Sequence, residues 1–461
     1  MNALAPVVKG WCPGALRPMP TGDGLLARVR PSAGRLSLDQ VEALAEAAGA
    51  CGNGAIEISS RANLQLRGVR PEKLGELEAR FAAIGLVDAD PEVERVRNIV
   101  ASPLADLDPE ASCDVAPHVA ALEARIARDA DLRALPAKFG FVIDAGGRWP
   151  LGDVEADVRF EGFVSGRGLG FVVRLPSPPA GMPELVRGIH GIERPDTRRA
   201  GRGGGTWMTG TSRVMTDSAV PGVTITSDDL PAAAARIARA FRVLAGSGAG
   251  APRRMRALLE RQGAGAVFAA AGLEPRAIHA PSRAASSAAT VGVLDLRIGV
   301  ALGVAPPFGR MQAAALAGLV RAASDFGASG ARLTPWRTIV LPGLDPARAS
   351  RLAQALEALG FIVARDDRRL RVVACPGAPA CAHANADTLG DAARLAASFS
   401  HEILHVSGCA KGCAHAAPAP FTLVATPEGY DLVIGGRAGD APTHRGLSLA
   451  SAAALVGGLS A

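Results

Sequence analysis

Ile56-Glu57-Ile58-Ser59 and Leu64-Gln65-Leu66-Arg67-Gly68 recur 275 positions later as Ala331-Arg332-Leu333-Thr334 and Ile339-Val340-Leu341-Pro342-Gly343. The match runs without a gap from Ala33–Val87 onto Phe308–Ile362, and Gly34-Arg35-Leu36 meets Gly309-Arg310-Met311. Few identities survive, but the apolar positions coincide, and the apolar pattern selects the buried face, so both copies should fold alike.

Each copy reads as a small α/β unit. In the first, Leu25 to Arg30 predicts a strand, and Ser37 with Gln40 three residues on forms a capping box for a helix. Val41, Leu44, Ala45 and Ala48 give that helix an apolar face, and Gly49 is placed to end it. Ile56 and Ile58, then Leu64 and Leu66, alternate as two strands. Pro71 opens a second helix that carries Leu74, Leu77, Phe81 and Ile84, with Gly85 at its stop. The order β-α-β-β-α is most of a ferredoxin-like split unit.

The repeat continues with a small slip: Asn98 to Pro103 lines up with Arg371 to Pro376, so Ser102 stands where the later copy has Cys375. An α+β protein of paired halves around a pseudo-twofold axis is expected, with a cleft between them. Its predicted division is a ferredoxin-like half-unit at 1–90, an α/β domain without cluster cysteines at 91–225 and a helical connector at 226–285. A second half-unit follows at 286–365, then an α/β domain with the cysteines at 366–461. Gly201 to Gly205, near Arg198, Arg199 and Arg213, reads as a flexible loop, and a Gly/Ala/Pro break near residue 250 parts the connector.

Four of the seven cysteines fall late in the chain as C-x5-C (Cys375, Cys381), 27 residues, then C-x3-C (Cys409, Cys413). Short Pro/Gly-rich turns let four thiolates wrap an inorganic core, either an Fe4S4 cluster or a structural zinc. Zinc ribbons favour closer spacing, so the cluster is the preferred reading. Cys51 and Cys113 read as small buried residues, and Cys12 is left open. His383, His401, His405 and His415 share the cysteine region. Two of them with Asp387 could hold a mononuclear non-haem iron; the preferred reading is that they bond backbone or cluster sulfur. In the half without the cysteine pairs, Arg61, Gln65, Arg67, Arg97 and Lys138 are candidate groups for an anionic ligand.

Composition narrows the class. The 461 residues are 48% hydrophobic and 20% charged, with a net charge of +6, as in an ordinary globular protein of several domains. Aromatics are 4%, too few for a stacking nucleic-acid surface. Arginine supplies most cations, and its planar fork favours a polycarboxylate small molecule. No apolar run approaches the roughly 20 residues that span a bilayer, and the opening residues do not read as a secretory leader. Clustered cysteines suited to metal point to a reducing cytoplasm. No dinucleotide fingerprint is visible.

The run Ser59 to Gly68, Arg97-Asn98, Leu135-Pro136-Ala137-Lys138-Phe139 and the two cysteine pairs resemble the duplicated nitrite/sulfite reductase superfamily over nearly the whole chain. The opening Lys9-Gly10-Trp11-Cys12-Pro13-Gly14, with Pro18 to Leu26, is similar to the precorrin-3B synthase family of aerobic cobalamin biosynthesis. The resemblance implies an Fe4S4 cluster on the four cysteines, with Cys413 nearest a bound tetrapyrrole, and Arg61, Arg97 and Lys138 lining the pocket. It implies an iron–sulfur monooxygenase that oxidises precorrin-3A with O2, hydroxylating C20 and closing a γ-lactone, with NADH electrons arriving through a separate reductase. A second lysine common in sulfite reductases is Gly140 here, which weakens an oxyanion pocket. The alternatives are a sirohaem-dependent nitrite or sulfite reductase and a non-catalytic, zinc-braced tetrapyrrole-binding protein.

Overall fold

In a computed structural model, which describes residues 12–88, 90–176, 220–248, 250–278 and 285–458, the two repeats form a pair of five-stranded sheets. The first runs Met19–Thr21, Gly24–Val29, Leu64–Val69, Ala55–Ile58 and Arg310–Gln312. The second runs Gly292–Asp295, Val300–Val304, Ile339–Leu344, Ala331–Leu333 and Arg35–Leu36. The last strand of each sheet comes from the other repeat: Met311 pairs with Ile56, and Leu36 pairs with Ala331.

This exchange has a local cause. Ala33 (φ 51°) and Gly34 (φ 69°) are both left-handed, as are their repeat partners Phe308 (φ 56°) and Gly309 (φ 77°). Two such residues in succession turn the chain out of its own sheet and onto its neighbour's. Only glycine fits second, because a Cβ on Gly34 would stand 2.8 Å from the Leu333 carbonyl oxygen. Ala62 and Arg337, also 275 apart, are left-handed as well, so the duplication extends to backbone strain.

Ser37 accepts from the Gln40 amide while the Gln40 side chain accepts from the Ser37 amide, and helix Leu38–Cys51 follows. It passes Gly49 and stops at Gly52, whose N–H bonds Ala48. Pro71 starts a 3-10 turn that leads into helix Leu74–Ala83. Helices Leu38–Cys51 and Ala313–Asp325 pack on each other, so the two half-units share one core, with Leu44, Ile56, Phe81, Leu316 and Leu352 fully enclosed.

Two mixed sheets flank this centre. Ile99–Ala101, Phe141–Asp144 and Val158–Ser165 run parallel before antiparallel Gly168–Arg174, Val220–Thr226 and Arg276–Ile278. Val372–Ala374, Leu404–Ser407 and Ala419–Thr426 repeat the parallel start before antiparallel Gly429–Gly436 and His444–Leu447. The segment expected to be a connector behaves differently. Its helices, Leu230–Ala245 and Met255–Ala270, bury Ile237, Phe241, Leu258 and Phe268 in the core of the first flanking sheet, and Arg276–Ile278 adds a strand to that sheet. An apolar helix face is stable only when covered, and this sheet is the face it meets. The expected Gly201–Gly205 loop with Arg198, Arg199 and Arg213, and Lys9 to Trp11, lie outside the described residues. Among the described residues no helix is long and apolar enough to cross a membrane.

Candidate active site

The cysteine loops leave the C-terminal ends of two adjacent parallel strands, Val372–Ala374 and Leu404–Ser407, paired at Ala374 and Val406. The Gly408 N–H donates to Cys375 Sγ (3.2 Å), and Thr388 Oγ1 donates to the Cys375 carbonyl (2.6 Å). Small residues keep this space clear: a Cβ on Gly408 would lie 3.4 Å from Cys375 Sγ and 2.7 Å from Ala384 Cβ. Burial raises the Cys409 and Cys413 thiols, and the thiolates of Cys375 and Cys381 add repulsion at both. The four sulfurs therefore share one region, and a cationic core would relieve their repulsion. Among the described residues no three His, Cys, Asp or Glu side chains converge as ligands of one ion must. Four thiol side chains gathered in one region are a donor set of the kind that holds an iron–sulfur cluster or a zinc ion.

The less favoured two-histidine, one-carboxylate set is not assembled among the described residues. Asp387 caps helix Thr388–Ala396 by accepting from the Gly390 N–H, and His383 is exposed. His401 packs on Phe399 and Phe421. His405 is wholly buried, its ring 5.8 Å from that of His415, and neither of its nitrogens has a partner among the described residues. Burial, then the nearby His415 and Arg337, push its pKa down to about 3. Its folded value lies below the usual ~6.5 of a free histidine, so unfolding takes up one proton between those values. Stability should be unaffected by His405 above pH ~6.5 and should fall as pH drops from there toward about 3. Thermal unfolding of His405→Phe should show a shallower acid slope than the parent.

The first sheet presents a row of polar side chains that crosses four strands in register: Arg28, Gln65, Glu57 and Arg310. Gln65 Oε1 accepts from Arg28 Nη2 (2.5 Å) and Nε (3.1 Å), and Gln65 Nε2 donates to Glu57 (3.1 Å). Burial, then repulsion from Arg30, push Arg28 down to about 10. Arg61 is lowered by burial and then by Arg254, and its side chain has no hydrogen bond or ion pair among the described residues. Arg337 is lowered by burial and donates to the Ala414 carbonyl (2.6 Å), one residue from Cys413. Cys12 lies close to Arg28 and Arg61. Cys51 is buried in the shared core as expected, whereas Cys113 is only partly buried. Desolvated guanidiniums short of counter-charge are groups that carboxylates can pair with.

Two of the five candidate ligand-binding side chains are committed elsewhere. Arg67 is buried, with Asp23 at 3.0 and 2.9 Å and Glu57 at 3.5 Å; these acids outweigh the lowering effect of burial and raise its pKa. Arg97 pairs with Asp88 (2.9 Å) and Glu123 (2.8 Å) and donates to the Arg30 carbonyl (3.0 Å). Neither has a free fork, because neighbouring acids that local sequence did not reveal already fill it. Arg97→Met should leave those acids facing each other and cost about 3–5 kcal/mol in denaturant unfolding, with substrate KM unmoved in the folded protein. Of the other three, Gln65 is taken up by Arg28 and Glu57 and serves to position Arg28, whereas Arg61 and Lys138 remain available; Lys138 is exposed with no partner among the described residues. Sequence reading missed Arg28 and Arg337. Strand alternation with a Gln65 partner was the available signal for Arg28, whereas Arg337 gains its place only by docking of the cysteine domain.

The second sheet shows the same row closed. Val340 replaces Gln65 and packs with Leu104, Trp149 and Ala301; Trp336 replaces Arg61 and donates to Asp153 (3.1 Å). Arg332 replaces Glu57 and, with Arg35, pairs with Asp106 (3.6 and 3.1 Å). One pseudo-twofold copy is filled; in the other Arg310 pairs with Glu57 (3.7 Å), while Arg28 and Arg61 have no acidic partner among the described residues.

A sequence profile described as the nitrite/sulfite reductase ferredoxin-like half domain matches residues 17–84 and 298–359, the two repeats. A precorrin-3B synthase from Sinorhizobium sp is 34% identical over 450 residues, covering 96% of this chain and 86% of that protein. The chain belongs to the precorrin-3B synthase family. That family sits here within the wider nitrite/sulfite reductase superfamily. The chloroplastic ferredoxin–nitrite reductase of Zea mays is 25% identical, covering 90% of this chain and 73% of its own. The Mycobacterium tuberculosis NirA protein superposes with a TM-score of 0.66 at 21% identity, over 90% of this chain and 74% of that one, and shows the shared fold. These relatives are oxidoreductase-type enzymes by their names. The precorrin-3B synthase family thus carries the duplicated architecture expected from the repeat.

Proposed function

We propose that this chain is an iron–sulfur monooxygenase that converts precorrin-3A to a C20-hydroxylated γ-lactone, in the cytoplasm. One oxygen atom of O2 enters the macrocycle and the other leaves as water. Two of the four electrons come from the substrate and two from NADH, delivered by a separate reductase. The observation that supports this reading most is the pairing of under-neutralised guanidiniums at Arg28, Arg61 and Arg337 with four thiols in the same interdomain region. Precorrin-3A is a polycarboxylate, and arginine forks hold carboxylates in fixed orientation.

Cys375, Cys381, Cys409 and Cys413 would hold an Fe4S4 cluster, which supplies single-electron transfer when bound. Arg28, kept in place by Gln65, and Arg61 bind and orient substrate carboxylates, with Lys138 at the rim. Arg337, fixed on the Ala414 carbonyl, brings positive charge beside Cys413. His405 stays neutral at working pH and adds no charge. Gly140 supplies no cation; its N–H donates to Asp157 (2.9 Å), which favours a macrocyclic substrate over sulfite.

Anaerobic purification, iron and sulfide counts, EPR and a precorrin-3A plus O2 assay on one sample test the reading. A Soret band with nitrite or sulfite turnover would replace it with a sirohaem reductase. Zinc without iron would replace it with a tetrapyrrole-binding protein.

A further inference from the structure

The loop between the first two cysteines, Pro376-Gly377-Ala378-Pro379-Ala380, has no side chain able to donate or accept a hydrogen bond. Its own domain holds it through backbone bonds, Cys381 N–H to the Gly377 carbonyl (2.8 Å) and Ala378 N–H to the Ala386 carbonyl (2.8 Å). Any further anchor must reach its backbone from outside. Arg67 does so from the opposite repeat, 313 residues away, donating from Nη2 to the Ala380 carbonyl at 2.7 Å.

We propose that Arg67, with Asp23 and Gly22, is a positioning residue that clamps the Cys375–Cys381 loop and holds its thiolates at cluster spacing. The inference rests on the reading of the four cysteines as an iron–sulfur site. Arg67 is 3% exposed, and Asp23 grips its Nε and Nη2 at 3.0 and 2.9 Å, so the donor is aimed before the loop docks. Asp23 is itself tied to Thr21 (2.8 Å) and Asn53 (3.2 Å). The same turn meets the loop sterically: a Cβ on Gly22 would lie 2.7 Å from the Pro379 oxygen and 2.8 Å from the Ala382 nitrogen. The clamp also shares Glu57 with the row that ends at Arg28, so the anchor of the cluster loop and the carboxylate receptor lie in one hydrogen-bonded network. The half of the molecule without cluster cysteines thus completes the site that carries them.

Arg67→Met alone would leave the half-buried Asp23 without its cation, while Glu57 keeps Arg310 at 3.7 Å, and the uncompensated charge would endanger folding. The test therefore uses Arg67→Met combined with Asp23→Asn, and, separately, Gly22→Ala, which changes no charge. In anaerobically purified full-length protein, circular dichroism and Tm should match the parent. The dithionite-reduced EPR signal should shift, and bleaching by a chelator should accelerate about 10- to 100-fold, as when a group orienting a metal ligand is lost. Arg67→Lys, with a single donor head, should fall between. If the folded double variant and Gly22→Ala both keep the parent EPR signal and bleaching rate, the clamp is overturned while the cluster stands. If the parent protein itself binds no iron or sulfide, the cluster reading fails first.

Discussion

Cys409→Ser, purified anaerobically, should lose the iron and sulfide of the parent protein together with its visible absorbance, and precorrin-3A turnover should fall to background. Serine keeps the size of the side chain, but its hydroxyl stays protonated at neutral pH and is a poor ligand for iron. Cys409 also lies where replacement is structurally mild. Its carbonyl accepts from Ser407 Oγ (2.7 Å) through the backbone, which serine preserves, and its side chain is partly exposed. The flanking strand Leu404–Ser407 stays paired on both sides. Secondary structure and Tm should therefore change little beyond the stability that the cluster itself adds. Full turnover in a folded, cluster-free variant would sink the electron-transfer role.

Arg28→Met and Arg61→Met form the second large effect. Each removes one fork from the receptor, and a hydrogen bond to a charged group is worth about 1.5–3 kcal/mol, so kcat/KM should drop roughly 10- to 150-fold in each. The fall should sit mainly in KM if the carboxylates bind alike throughout the reaction, and in kcat if the macrocycle is mis-set at C20. Arg28→Met also releases Gln65 Oε1, whereas Arg61→Met disturbs no hydrogen bond among the described residues. Arg61 is thus the cleaner probe. Steady-state kinetics with precorrin-3A separate the two, and unchanged constants in both variants would move the substrate elsewhere.

The contrast with Arg97 and Arg67 shows where reading by residue type stops. Arg61, Arg67 and Arg97 look equivalent in the chain, as cations near polar strand or loop residues. Arg97 finds Asp88 nine positions away and Glu123 on another helix, and Arg67 finds Asp23 across the sheet. A charge is free or spent according to who else arrives at the same point, and that is a property of packing. Arg337 makes the same point in reverse, since its repeat partner is Ala62 and its contact, Ala414, belongs to a different domain.

By itself the sequence determined the duplication, the helix caps at Ser37 and Pro71, the alternating strands and the gathering of four thiols on two short loops. All of these depend on neighbours within a few positions or on a pattern repeated at fixed spacing, and short-range sterics and burial periodicity suffice to specify them. Tertiary structure alone decided the exchange of Arg35–Leu36 and Arg310–Gln312 between repeats, the absorption of the 226–285 helices into a flanking core, and the filling of one pseudo-twofold pocket by Trp336 and Val340 while its twin kept Arg61 and Gln65. Those outcomes depend on which surfaces meet across about 300 residues of chain. Contacts at such separation are set by the complementarity of whole faces, which no local run of residues encodes.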